Sequence, residues 1–369
     1  MEFYCSKTDL VNAVNIVSKA VPSKTTMTIL ECILITVSNG KILLTSNDTE
    51  IGIETELKGE IKDNGIVAID SKLFSDVVRK LPENIVHITC GSDFILNISC
   101  EKAKVTLAAK NGNDFPYLED VEKNDFITIS QFTLKEIIRQ TIFSISQNEN
   151  NKMMTGELFD INGNKMRVIS LDGHRISIRN IELRQDYPSL KVIIPGKTLM
   201  ELSKILSGEI EKVVNIYFTR TNAVFEFDNT VVLTRLIEGE YFDVDKMISN
   251  EYSTRILIDK KELVNCIDRA TLMVRENDRK PVIISINNEE FELKIKSPIG
   301  AIDESISIEK EGADLMIGFN PRFLLDALKV IDDEKINIYF MNSKAPCYIK
   351  DESMKYNYMI LPINFNNVG

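Results

Sequence analysis

Tryptophan is absent from this sequence, and histidine occurs only twice, as His87 and His174. So few imidazoles leave a histidine-built metal centre without ligands. The six cysteines, Cys5, Cys32, Cys90, Cys100, Cys266 and Cys347, form no CxxC pair and show no metal-type spacing. They sit in apolar patterns, as buried thiols in a reducing compartment do. No stretch reaches the roughly 20 apolar residues of a membrane span, and the start, MEFYCSKTDL, has no signal-peptide apolar run. The expectation is a soluble, cytoplasmic protein with no metal and no cofactor. Positive charge is also in short supply: the net charge is −11 and the pI about 5.0. Nucleic-acid binders usually show a basic balance. Net charge is silent about distribution, however, and an acidic protein can still be basic along one surface.

Catalytic groupings are equally scarce. Pro195-Gly196-Lys197-Thr198 imitates the end of a GxxxxGK[ST] phosphate loop, but Lys191 stands where the first glycine belongs. The loop could not present its amides to a phosphate in the usual way. Asp172-Gly173-His174-Arg175 alone gathers acid, base and imidazole, and an Asp-Gly pair between alternating strands is first a hairpin turn. Without a second chemical cluster to complete a site, its histidine reads as structural. No enzyme emerges.

What the sequence does have is a repeat. DSKLFSDVVRKL, Asp70 to Leu81, recurs as PGKTLMELSKIL, Pro195 to Leu206, and NPRFLLDALKVI, Asn320 to Ile331. Lys72, Lys197 and Arg322 stand 125 residues apart, and so do Arg79, Lys204 and Lys329. Asp76, Glu201 and Asp326 follow four places after the first base. Each copy opens on a helix-start signal and carries apolar residues at helical spacing. Residues seven apart on a helix lie within about 20° of each other, so each pair of bases forms a stripe. One such stripe is usually a solvated face whose acid and bases pair locally. Three at a fixed period can line one continuous surface.

A second helix recurs more loosely, from Lys7 to Ala20 with Ser6 as N-cap, from Thr133 to Ile145, and from Lys260 to Val274. Between helices the chain reads as antiparallel strands, with Asn39-Gly40 a hairpin turn. The length, 369 residues, and the period select three α+β modules, 1–124, 125–251 and 252–369. The boundaries fall in the polar stretches VEKND and SNEYST. The chain ends on the apolar stretch Tyr358 to Phe365, broken by Pro362. That stretch is either a final strand stopped by its proline or a set of side chains lining a partner groove.

The three-fold period, Asp48-Thr49-Glu50-Ile51-Gly52-Ile53, Asp114-Phe115-Pro116, Asp172-Gly173-His174-Arg175 and the ending Met359 to Phe365 together closely resemble the bacterial DNA polymerase III beta subunit family, the sliding clamps. The resemblance spans essentially the whole chain. It implies three clamp domains per subunit and a head-to-tail homodimer closed into a ring around duplex DNA. Lys72, Arg79, Lys197, Lys204, Arg322 and Lys329 would face the DNA, and Lys24 matches a DNA-contacting arginine of the family. Lys135 and Arg139 are further candidates. The family's pocket for short peptides of polymerases, the clamp loader and repair proteins maps onto Met154, Leu171, Gly173, His174, Arg175, Ile176, Phe242, Met247, Met359, Leu361, Pro362, Ile363, Asn364 and Phe365. Phe242 replaces a usual proline, Leu171 a common threonine and Asn364 a common arginine. The subunit contact would pair the strand of Val105 and Leu107 with the region of Leu272 and Met273. On the residues alone, a scaffold whose stripes are merely solvated remains the competing reading.

Overall fold

The computed structural model describes residues 1–116, 118, 121–123, 126–274 and 280–365. The expected boundary residues Asn124 and Asp125 and the tail Asn366 to Gly369 lie outside the described residues. Six α-helices are present among them: α1 (Lys7–Val17), α2 (Ser71–Lys80), α3 (Gln131–Thr141), α4 (Gly196–Ile205), α5 (Lys260–Thr271) and α6 (Pro321–Val330). Four of their starts follow from side-chain caps that satisfy otherwise orphaned amides. Ser6 accepts from the Asp9 amide, Asp70 from Leu73, Asp259 from Glu262 and Asn320 from Arg322. Three expected helices stop short of their predicted ends. The first and second continue as 3-10 turns, Ser18–Ala20 and Ile142–Ser144, and the third ends at Thr271 rather than Val274.

The described chain falls into two compact units, Met1–Leu134 with Lys197–Leu236, and Lys135–Gly196 with Ile237–Gly369. In the first, a nine-stranded antiparallel sheet runs Lys110–Asn111, Gly65–Asp70, Cys32–Ser38, Lys41–Asn47, Ile51–Leu57, Thr230–Arg235, Asn222–Phe227, Val213–Phe218, Phe126–Ser130. Its middle joint pairs Ile53 with Val232. That joint links strands of the first and second expected modules directly. The Asn39-Gly40 turn is as expected, with both residues at positive φ, 50° and 76°. A five-stranded sheet completes this unit and ends on the edge strand Ala103–Ala108.

In the second unit a seven-stranded sheet runs Gly156–Leu171, Arg175–Pro195, Tyr356–Ile360, Cys347–Lys350, Lys335–Phe340, Thr254–Asp259, Glu309–Gly312. A four-stranded sheet, Gly300–Ser307, Glu290–Ser297, Val282–Asn287, Leu315–Phe319, packs with it around α5 and α6. Leu263 and Ile267 of α5, and Leu324 and Leu328 of α6, are buried in that one core with Phe291, Phe319 and Phe340.

The hairpin of Gly156–Leu171 and Arg175–Pro195 is far longer than the two five-residue strands that alternation marks at Met166–Ser170 and Arg175–Arg179. Its register slips on both sides of Gly163, which stands at φ +61°, and that bulge breaks the alternation.

Candidate functional site

The three repeated helices each bury one face and expose the other. On α2, Phe74 and Val78 are in the core while Lys72, Asp76, Arg79 and Lys80 are exposed. On α4, Leu199 and Leu202 are buried, and Lys197 and Lys204 exposed. On α6, Lys329 is exposed and Arg322 half-buried. Five of the six repeated bases thus point to solvent, each over an apolar anchor.

Their acids behave in three different ways. Asp76 makes no ion pair among the described residues, and Arg79 instead donates to Asn15 of α1 at 2.8 Å. Glu201 accepts from Lys204 at 2.7 Å, the pairing a solvated helix face would give. Asp326 leaves its own helix and accepts from Arg175 at 2.7 Å. Lys197 is held by Asp48, whose carboxylate is nearly buried. Lys329 stands 4.0 Å from Asp268 of α5.

Gly196, the glycine of the phosphate-loop imitation, is there for packing. A β-carbon on it would stand 2.3 Å from Ile145 Cδ1 and 2.8 Å from the Thr155 carbonyl oxygen.

Lys24 is exposed in the loop after the Ser18–Ala20 turn. Arg139 is already engaged: its guanidinium bonds Glu136 at 3.0 Å and Asp332 at 2.9 Å, and these acids hold it above the usual arginine range. Lys135 shares α3 with it.

The fourteen residues expected to line a peptide pocket all lie in the second unit. Leu171, Ile176 and Met359 are buried in one small apolar cluster, and Met154, Phe242 and Leu361 pack against it. Met247 ends the 3-10 turn Val244–Lys246 and is exposed beside them. The cluster forms where the long hairpin meets the last strand, with Ile176 opposite Met359 and Arg175 opposite Ile360.

The turn at its rim is built by Asp172. Its Oδ1 accepts from the His174 and Arg175 amides at 2.9 and 3.1 Å, and Gly173 takes φ +87°. The Arg175 guanidinium then binds Asp172 Oδ2 at 2.9 Å, Asp326 Oδ2 at 2.7 Å and the Phe143 carbonyl at 2.5 Å. It also lies 4.5 Å from the Phe323 ring centre, a cation–π contact. Arg175 is thus a hub that fixes the hairpin tip, α6 and the Ile142–Ser144 turn. His174 is exposed, its ring 5.9 Å from Phe323 and its carbonyl accepting from Leu361.

Beyond the strand, Pro362 ends the pairing as expected, and the Ile363 amide donates to Gly318 at 2.8 Å. A side chain at position 318 would collide with Ile363 and Phe365, so this glycine seats the tail. Pro362, Ile363 and Phe365 stay half-buried, and Asn364 is exposed. The ending is thus a strand to Ile360 followed by partly open apolar side chains.

The remaining candidates sit at edges. Val105 is half-buried and Leu107 buried on the edge strand Ala103–Ala108. Leu272, at the end of α5, is 70% exposed, more than any other large apolar residue described, and Met273 packs partly onto the core. Glu157 and Asn357 are buried inside strand patterns, where a polar residue gives no sequence signal of its burial.

Family models for the DNA polymerase III beta subunit match three times in succession: the N-terminal domain over residues 1–119, the central domain over 128–243 and the C-terminal domain over 245–364. The Bacillus subtilis beta sliding clamp is 34% identical over 380 residues, covering 98% of this chain and 99% of that one. The Staphylococcus epidermidis beta sliding clamp is 32% identical over 376 residues, with the same coverage. Among solved structures, a putative DNA polymerase III beta subunit from Eubacterium rectale superposes with a TM-score of 0.96 at 57% identity, covering 99% of this chain and 100% of that one. The Bacillus subtilis clamp structure gives 0.94 at 34% identity, covering 99% of each chain.

Proposed function

The chain belongs to the bacterial DNA polymerase III beta subunit family, and from that membership we propose that it works as a DNA sliding clamp. Two copies close head-to-tail into a ring around duplex DNA and tether the replicative polymerase to it. The ring does no chemistry of its own and acts in the cytoplasm. Each subunit contributes three clamp domains, 1–124, 125–251 and 252–369. No described helix is long and apolar enough to cross a membrane.

One observation carries the DNA side of this reading: in a chain of net charge −11, five of the six bases repeated at a fixed period are exposed. Lysines and arginines near phosphates supply attraction that ignores sequence and falls steeply with salt. Such attraction permits sliding, while topology provides retention. Lys72, Arg79, Lys197, Lys204, Arg322, Lys329 and Lys24 face the DNA. Lys135 contributes from α3, and Arg139 contributes least, because two acids already hold it.

The apolar cluster under the Asp172–Arg175 turn is the pocket for short peptides of polymerases, the clamp loader and repair proteins. Methionines 154, 247 and 359 suit it, because flexible, polarizable chains repack around different ligands. The edge strand of Val105 and Leu107 meets Leu272 and Met273 of the other subunit, a contact that joins an open ladder to an exposed apolar side chain.

The test is topological. Loaded onto a nicked circular plasmid, the protein should stay through gel filtration and run off once the circle is linearised. Equal retention on both forms would sink the reading.

A further inference from the structure

We infer that Lys197 is a brace between the first and second expected modules rather than a phosphate contact, and that Asp48 positions it there. This rests on the clamp reading above and refines which of the six repeated bases the DNA uses. Lys197 lies in the first turn of α4, and its ammonium donates to Asp48 Oδ2, in the loop ahead of the strand Ile51–Leu57. Oδ1 of the same carboxylate accepts from the Glu50 and Ile51 amides at 3.0 and 2.8 Å. The neighbouring Thr198 hydroxyl meets that of Thr234 at 2.7 Å, and Thr234 pairs with Ile51. The pair therefore closes one end of the joint between the strands of the two modules.

Burial decides which anion keeps the cation. The Asp48 side chain is 5% exposed and that of Lys197 55%. Deprived of Lys197, the carboxylate would be left as a buried charge without a counter-ion. A phosphate at the surface competes for the same ammonium through water and salt. Lys204 differs, because its bond to Glu201 is an ordinary pair on one exposed helix face and yields readily. A second turn repeats the design. Asp172, 124 residues on, takes the amides two and three places ahead on Oδ1 and Arg175 on Oδ2. Arg175 in turn reaches Asp326 on α6, the next repeated helix after α4. Each aspartate turn is thus tied to the repeated helix of the following module through one cation. Lys72, the counterpart of Lys197 on α2, is exposed and makes no ion pair among the described residues.

The test is the salt dependence of binding to a fluorescein-labelled duplex, read by anisotropy on the full chain. Asp48→Asn keeps an oxygen for the two amides and loses the charge that holds Lys197. It should steepen the slope of log affinity against log salt by up to about 0.9 per subunit, as one cation is released to the phosphates. Adding Lys197→Ser should erase that gain and no more, whereas Lys72→Ser alone should flatten the natural slope by up to about 0.9 per subunit. Thermal melts supply the second readout. Lys197→Ser should lower the melting temperature, and adding Asp48→Asn should restore part of the loss, because the stranded charge goes with it. An unchanged slope in folded Asp48→Asn, a double variant whose slope falls below the natural one as that of Lys72→Ser does, or a double variant that melts no higher than Lys197→Ser would each overturn the brace and leave the clamp reading standing. Binding that ignores salt in the natural chain would overturn the DNA reading and the brace with it.

Discussion

Asp326 bonds Arg175 at 2.7 Å, across 151 residues of sequence, although two basic residues of its own helix stand four places before and three after it. Arg175 is 11% exposed at its side chain. Removing one partner of a fully buried pair costs about 3–5 kcal/mol, and less here because the Asp326 side chain is 42% exposed and Asp172 remains. Asp326→Ala should therefore destabilise the second unit by about 1–3 kcal/mol. A double-mutant cycle with Arg175→Met, read from urea midpoints, should return a coupling of at least about 1 kcal/mol. A coupling near zero would mean that the pair is incidental. The same variant should weaken peptide binding, because α6 and the turn carrying His174 are tied through this one guanidinium.

The exposed bases should act on DNA rather than on stability. Serine at Arg79, Lys204 and Lys329 together removes three cations that make at most weak surface contacts, each worth under about 1 kcal/mol. The melting temperature should hold. The salt dependence of DNA binding should flatten by up to about 0.9 per lost phosphate contact per subunit, and polymerase processivity should fall. Arg139→Ser should do the reverse, costing stability through the loss of Glu136 and Asp332 and leaving the salt slope nearly unchanged. Intact processivity in the triple variant would favour the scaffold reading.

The contrast between those two sets of bases marks what could be read from the residues. The six helices and the periodic bases were legible because helix caps, 3.6-residue apolar spacing and surface charge all act locally, as at Asp70 with Leu73 or Asn320 with Arg322. The Asn39-Gly40 turn was legible for the same reason. What each acid of the repeat does was not. Asp76, Glu201 and Asp326 occupy equivalent positions, yet their partners are decided by tertiary neighbours far away in sequence. The long hairpin escaped notice because the Gly163 bulge interrupts its alternation, and Pro188 and Pro195 argue against a strand that nonetheless forms. For the pocket, residue patterns gave only a turn and an apolar ending. The resemblance supplied the rest, and the cluster around Ile176 and Met359 then brought six of those residues together.

Leu272 offers a clean separation of assembly from folding. At 70% exposure it gives little to its own core, so Leu272→Asp should leave the melting curve of the isolated subunit within about 0.5 kcal/mol of the original. In the proposed ring the same change would set a charge against an apolar contact. Sedimentation should show the variant as a subunit of single mass, 41.9 kDa, at concentrations where the natural chain is expected to sediment as a dimer. A variant that still sediments as a dimer would move the subunit contact away from the end of α5.

Glu157 provides a pH dependence whose sign can be worked out. Its carboxyl is fully buried at the start of the long hairpin, neither oxygen meets a donor in hydrogen-bond geometry among the described residues, and burial, opposed only by the nearby Thr141 hydroxyl, pushes its pKa up from 4.5 to about 8. The fold therefore holds the neutral acid. Below about pH 4.5 the folded and unfolded chains are both protonated here and the full contribution to stability is present. As pH rises the unfolded chain ionises first, so stability is lost progressively until the folded carboxyl also ionises near pH 8. The total is on the order of 3–5 kcal/mol, at about 1.4 kcal/mol per unit. Glu157→Gln keeps the shape and removes the titration. Its melting temperature should exceed that of the natural chain at pH 8, and the gap should close as the pH approaches 5. Parallel melting curves across that range would show that Glu157 finds a partner that stabilises its charge, and the neutral-acid account would fail.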